Sequence, residues 1–331
     1  MPSLETMRIL AVIPGNGEGS SFIFARRQVE SLAKLGIEVS IFHLRSRTNP
    51  RLVLNEWIRL RRAITEFSPD VVHAHYGTMT GFLCVLATSR PVAITFRGSD
   101  LNPGPGIGFL RSCIGHFLSQ LSALRAGLIC CTSPQLRDRL WWRKLNVVVV
   151  PTGVNLDLFR PMPKEIARRA LGWDINERVV LFNAGGNPAI KGLSFAHQAV
   201  EAAKRSLGSI RLVQLNGEVA PENIPLFLNA ADCLLIASIS EGSPNILKEA
   251  MACNLPVASV DVGDAAERLR GVFPSRVAPR SSAALTQAIV EILTEPRRSN
   301  GREMILECSE ANISLRMKKA YASVGQRQRG I

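Results

Sequence analysis

The chain has 331 residues, with 40 lysines plus arginines against 27 aspartates plus glutamates, a formal charge of +13, and 46% hydrophobic residues. Such an apolar fraction excludes a mainly disordered chain, and the length exceeds one ordinary core, so two domains are expected.

The only apolar run near the start, Ile9 to Ile13, stops at Pro14-Gly15, so no secretory leader is expected. The longest apolar stretch, Gly81 to Phe96, is broken by Ser89-Arg90-Pro91 and falls short of the roughly 18 to 20 residues of a bilayer crossing. Seven cysteines without a CxxC pair, set in apolar segments such as LICC and DCLLI, read as reduced core residues of a cytoplasmic protein. Residues 1–160 hold 19 basic and 10 acidic side chains, and residues 161–331 hold 21 and 17, so the first half is the basic half and an anionic partner is expected there. Nucleic acid is not that partner: aromatic platforms, Cys/His spacings and glycine-flanked basic runs are all missing.

Taken in chain order, apolar strands alternate with amphipathic helices. Strands are expected at 8–13, 38–43, 70–73, 92–96, 127–131 and 147–150, with helices at 22–34, 55–67, 78–87, 109–124 and 134–140 between them. The prolines and glycine of VVVVPTGVNLDLFRPMP interrupt this series, and it restarts with helix 164–171 and strand 178–182. Strands near 211–215, 233–236 and 256–260 follow, separated by helices 192–206, 225–231 and 244–253. The alternation predicts α/β architecture: two Rossmann-like, doubly wound parallel sheets. The expected divisions are a first domain over 1–160, a second over 161–310, and a closing helix with a frayed tail over 311–331.

Open parallel sheets bind ligands outside the carboxyl ends of their strands, which directs attention to the loops there. In the second half, ASISEGSPNILKEAMACNLPVASVDVG follows a strand. Ser243 is expected to cap a helix beginning at Pro244, leaving the Asn245 and Ile246 amides free for an anion such as a diphosphate. Glu241 and Glu249 are carboxylates suited to sugar hydroxyls and a ribose diol, because they only accept hydrogen bonds. Taken alone, they better suit a first-turn dipole partner and a solvated helix residue. In the first half, Gly15, Gly17 and Gly19 follow a strand, but a dinucleotide fingerprint would require glycine where Ser20 stands. The loop therefore reads as a turn approaching a sugar or diphosphate. His75 lies at a strand end and is either a ligand contact or a satisfied core group. Asp100 can cap a turn or touch an acceptor. No His/Cys/Asp set has metal-ligand spacing.

The stretch EGSPNILKEAMACNLPVASVDVGDAAE resembles the donor-site signature of the retaining glycosyltransferases of family four, which have the GT-B fold. Glu241, Gly242, Pro244, Glu249, Ala250-Met251-Ala252, Pro256-Val257 and Val262-Gly263 carry the match, with Asn254 in place of a usual glycine. LFNAGGNPAIKGL (181–193) is similar to the family's loop that brings a lysine to the donor phosphates, which nominates Lys191. VVPTGVNLDLFRP, DVVHAHY, TFRGSD and the closing GREMILECSEANISLRMKKAY extend the likeness over most of the chain. Three departures stand out. The arginine usually preceding the lysine is replaced by Gly185 or Gly186, which leaves Asn183, Asn187 or Arg97 to compensate. His-Gly is replaced by Arg97-Gly98, and the first loop is PGNGEGSS.

The resemblance implies two Rossmann-like domains facing a central cleft and a metal-independent hexosyltransferase without a cofactor. It would move sugar from a nucleoside-diphosphate sugar, UDP being the usual base, to an acceptor hydroxyl with retention, in polysaccharide or cell-envelope glycan synthesis. Lys191 and Glu241 would be catalytic. Donor contacts would come from Gly17, Gly19, Asn183, Lys191, Ser243, Asn245, Ile246 and Glu249. His75, Arg97 and Asp100 would serve a glycan or lipid-linked acceptor. The missing arginine keeps open a non-catalytic nucleotide- or glycan-binding protein of the same fold, and the architecture keeps open a sugar-nucleotide epimerase. EWIRLRRAI (56–64) and RDRLWWRKL (137–145), rich in cations beside tryptophan, suggest peripheral seating on an anionic membrane face.

Overall fold

The computed structural model describes residues 7–18, 22–102 and 108–327. They form two units: the first holds the described residues up to 153 and again from 310, and the second holds 154–309.

In the first unit the elements run β1 (Arg8–Pro14), α1 (Ile23–Ala33), β2 (Glu38–Leu44), α2 (Pro50–Phe67), β3 (Val71–Ala74), α3 (Thr78–Ala87), β4 (Val92–Phe96), α4 (Phe109–Arg125), β5 (Leu128–Cys131), α5 (Pro134–Asp138) and β6 (Val147–Val149). The six strands are parallel in the order β2-β1-β3-β4-β5-β6. Interior strands such as VVHA and VAITF are buried on both faces, which explains why they read as continuous apolar runs rather than alternating ones. Helix α2 starts at Pro50, not at the expected Asn55, because the Asn49 side chain accepts from the Arg51 and Leu52 amides and proline occupies the first turn without losing a bond. Helix α5 stops at Asp138, before the expected Leu140.

The second unit runs α6 (Lys164–Leu171), β7 (Val179–Asn183), α7 (Pro188–Lys191), α8 (Leu193–Leu207), β8 (Arg211–Leu215), α9 (Ile224–Ala230), β9 (Cys233–Ile236), α10 (Asn245–Ala252), β10 (Val257–Val260), α11 (Ala265–Arg268), β11 (Arg276–Ala278), α12 (Ser282–Thr294) and α13 (Gly301–Ile305). Its five strands are parallel in the order β11-β10-β9-β7-β8. The unit begins at Val154, ahead of the expected junction after 160. Val154 bridges Ser309, Phe159 lies in the core, and Arg302 donates to the Leu156 and Phe159 carbonyls.

Helix α14 (Glu310–Arg327) belongs to the first unit. Its Ile313, Met317, Tyr321 and Val324 pack with Ile9, Val71, Ala93 and Leu128.

Candidate active site

In a doubly wound sheet, the loops after two neighbouring strands diverge where the strand order reverses, and the opening they leave is the usual ligand position. In the second unit that point lies between β7 and β9. The loop after β7 carries Asn183 and, through α7, Lys191. The loop after β9 carries Ser238 and Glu241. Asn183 Oδ1 accepts from the Gly185 amide, and Asn187 caps α7 by accepting from the Ile190 amide. These two asparagines therefore shape the lysine loop from within.

The two loops are stitched together. The Ile239 amide donates to the Ile190 carbonyl, and Arg280 Nη1 donates to the Ala237 and Ser238 carbonyls, each at 2.8 Å. Gly192, at φ +76°, lies so close to this seam that a Cβ there would stand 2.1 Å from the Ala237 oxygen. Only glycine fits. Lys191 Nζ then meets Glu241 Oε1 at 2.5 Å, and Ser238 Oγ donates to the same oxygen at 2.8 Å. Both side chains of the ion pair keep some exposure, so the ammonium remains accessible to an anion.

Helix α10 supplies the second feature. Its opening residues Asn245 and Ile246 lie in the turn where no earlier helical carbonyl is available to their amides. Ser243 does not cap it, contrary to the sequence expectation: Pro244 holds the cap position, and the Ser243 hydroxyl donates to Asp264 Oδ2 at 2.9 Å and accepts from Lys248 Nζ at 2.9 Å. Asp264 also accepts from Arg268 at 3.0 Å. This buried network under the helix start was not read from the sequence, because LKEAM reads as an ordinary helix segment and nothing local marks Lys248 as an inward side chain. Burial lowers the Lys248 pKa to about 8, against the attraction of Asp264. Gly263, at φ +56°, packs its backbone on the Gly242 carbonyl, locking the Val-Gly turn onto the EGSP loop. Glu249, on the second turn of α10, is partly exposed.

The first unit has the same reversal, between β1 and β3. Gly17 lies in the turn after β1, and its carbonyl accepts from the Arg26 guanidinium. Gly19 lies outside the described residues. After β3, His75 is fully buried. Arg97 Nη2 donates to His75 Nδ1 at 2.9 Å, to Gln28 Oε1 at 2.8 Å, and its Nη1 to Thr152 at 3.2 Å. An arginine can only donate, so His75 Nδ1 is the acceptor and its proton is carried on Nε2, which has no partner among the described residues. Burial holds the His75 pKa well below its ordinary value, with His73 and Arg97 adding to the effect, so the ring is neutral. Burial also brings Arg97 down to about 10. Asp100 is committed to the backbone, accepting from the amides of Gly77, Arg97 and Gly98. Beneath His75, His73 is held between Tyr321 (2.6 Å) and Thr95 (2.8 Å).

The structure sorts the two cation-and-tryptophan segments. Glu56 is buried, bonded to Arg59 and the Arg45 amide. Trp142 donates to the Gln120 carbonyl, and Arg143 to those of Ala123, Leu124 and Ala126, so both brace the end of α4. Trp141 faces outward. Among the described residues no helix is long and apolar enough to cross a membrane, and no group of three His, Cys, Asp or Glu could hold a metal.

Two Rossmann-like units, each with polar groups gathered at its switch point, define the GT-B class of fold. Solved structures agree. Sucrose-phosphate synthase from Thermosynechococcus elongatus superposes with a TM-score of 0.79 at 18% identity, covering 97% of this chain and 100% of that one. Anabaena HepE in complex with UDP and glucose gives 0.72 at 16%, covering 96% and 100%. Residues 24–153 match the family model for a glycosyl transferase 4-like domain, and residues 165–295 that for glycosyl transferases group 1. The chain belongs to these group 1, 4-like glycosyltransferases. Bacillus subtilis (strain 168) TuaC, provisionally named a teichuronic acid biosynthesis glycosyltransferase, is 23% identical over 86% of this chain and 88% of its own length.

Proposed function

We propose that the protein transfers a sugar from a nucleoside-diphosphate sugar, with UDP as the base, to a hydroxyl of a glycan or lipid-linked acceptor in polysaccharide or cell-envelope synthesis. The observation that carries this reading is the Lys191–Glu241 pair at the switch point of the second sheet, with the open first turn of α10 in the same unit. HepE, solved with UDP and glucose, and TuaC, with its teichuronic acid name, support the base and the product class.

In the proposed step the bond between the anomeric carbon and the β-phosphate oxygen breaks, and its electron pair leaves with the diphosphate. Lys191 and the Asn245 and Ile246 amides take up the growing charge, an interaction stronger in the transition state than in the ground state. Glu241 holds the ammonium in place beforehand. Glu249 accepts from the ribose diol. The acceptor oxygen attacks from the face the diphosphate leaves, its proton passing to the departing phosphate, so configuration is retained and no metal is required.

The test is a thermal-shift panel of UDP, GDP and ADP sugars followed by product analysis. A true donor at about a hundred times its Kd adds about 2.7 kcal/mol of stability. The expected products are free nucleoside diphosphate and an α-to-α or β-to-β glycoside by NMR. A sugar changed but still joined to its nucleotide would mean an epimerase. Stabilisation without turnover or donor hydrolysis would mean a binding protein.

A further inference from the structure

A helix that covers a parallel sheet ordinarily buries its apolar stripe. Helix α4 does the reverse. Leu110, Ile114, Phe117, Leu121 and Leu124 follow one another at helical spacing and fall within about 80° of arc at 100° per residue. Apart from half-buried Leu121, they are 47% to 72% exposed. The opposite face is small and polar and is fully buried: Ser119, Gln120, Ser122 and Ala123. Hydrogen bonds hold that face down. Ser119 donates to the Asp100 carbonyl and accepts from the Thr78 amide, and Gln120 is bonded to Trp141 and the Arg139 carbonyl.

The outward stripe continues beyond the helix. Trp141 packs at a tilt against His116 and Phe117 with its ring half exposed, and Leu145 is fully exposed. Between residues 108 and 147 there are six basic side chains and one acidic, Asp138. Arg111, Arg125, Arg139 and Lys144 stand exposed beside the stripe, whereas Arg143 is used against α4 carbonyls and Arg137 pairs with Asp138.

We propose that this inverted face of α4, with Trp141 and Leu145, seats the protein on an anionic lipid surface. Apolar side chains would enter the headgroup boundary while the rimming cations meet lipid phosphates. The charge pattern selects this occupant over a second copy of the chain. A two-fold contact through the stripe would set one rim of exposed cations against the same rim of the other copy, with only Asp138, already paired with Arg137, to offset it. The inference is independent of which sugar or acceptor the enzyme uses.

The experiment is co-sedimentation of the full chain with vesicles of phosphatidylcholine alone or mixed with phosphatidylglycerol, combined with tryptophan fluorescence and sedimentation velocity. Binding is expected on the anionic vesicles, falling as salt rises, with Trp141 shifted to the blue and quenched by brominated lipid. Leu145→Glu leaves the fold untouched, since that side chain contacts solvent only, and should lower partitioning about tenfold. Arg139→Glu should lower it roughly fivefold or more. Unchanged melting temperatures keep both variants interpretable. Equal recovery on neutral vesicles, no loss in Leu145→Glu, or a dimer dissolved by Phe117→Glu without vesicle binding would each overturn the proposal.

Discussion

Lys191 and Glu241 are fifty residues apart in sequence and touch because the sheet order places their loops at one reversal point. Glu241 neutralises the ammonium, so under the proposed reaction removing either partner has a distinct signature. Lys191→Ala should lower kcat about a hundredfold or more, with little effect on the melting temperature, because the pair is partly solvated. Glu241→Gln should keep a folded protein with a smaller fall in kcat, and Glu249→Ala should raise KM chiefly. Steady-state kinetics on purified variants separates these outcomes, and wild-type constants for Lys191→Ala would remove it from the site. Lys248 is a different case, buried beneath α10 with a pKa near 8 against an ordinary 10.5. Between those values the unfolded chain binds the proton more tightly than the folded one, so this group makes stability rise with pH from about 8 to 10.5. The effect is on the order of 3 kcal/mol in total. Comparing denaturation of wild type and Lys248→Met across that range should show the rise only in the wild type. Both residues stand in the sequence in plain view, but only Lys191 had a motif to point to it. Lys248 has none, because inward orientation on a short helix depends on which turn precedes it.

At the scale of elements, most strands were legible because a strand buried on both faces is a short apolar run bounded by turn residues. Helix α7 and strand β11, at four and three residues, are too short to show a period. Helix α12 carries a readable stripe and a Ser281 cap but stands outside the elements named from the sequence. Helix α4 teaches the opposite lesson. Its amphipathic period is plain in the sequence, yet the period does not say which face turns inward, and here hydrogen bonds from Ser119 and Gln120 decide it. Helix α14 makes a further prediction. His73 sits between Tyr321 and Thr95, and burial, with Arg97 adding to it, lowers its pKa from 6.5 to about 3. The unfolded chain therefore takes up the proton first, and stability present above pH 6.5 is lost as pH falls towards 3. His73→Gln should flatten the acid limb of the stability curve relative to wild type by on the order of a few kcal/mol. Parallel curves for the two proteins would place the acid sensitivity elsewhere.

For the whole molecule, the excess of positive charge in the first half becomes a located feature: much of it lies in the segment that carries α4, α5 and the loop to β6. The composition of the chain could state the sign of a partner but not the face it meets. The division into units has a consequence for how the protein is made. Ile313, Met317, Tyr321 and Val324 complete a core whose other walls are Ile9, Val71 and Leu128, so the unit synthesised first cannot close until α14, which follows the whole second unit, has left the ribosome. The second unit has no such dependence, since all of its strands and helices are contiguous from 154 to 309. A nascent chain arrested before α14 would therefore carry a finished second unit and an open first sheet with an apolar strip uncovered, and that is the species on which a chaperone would act.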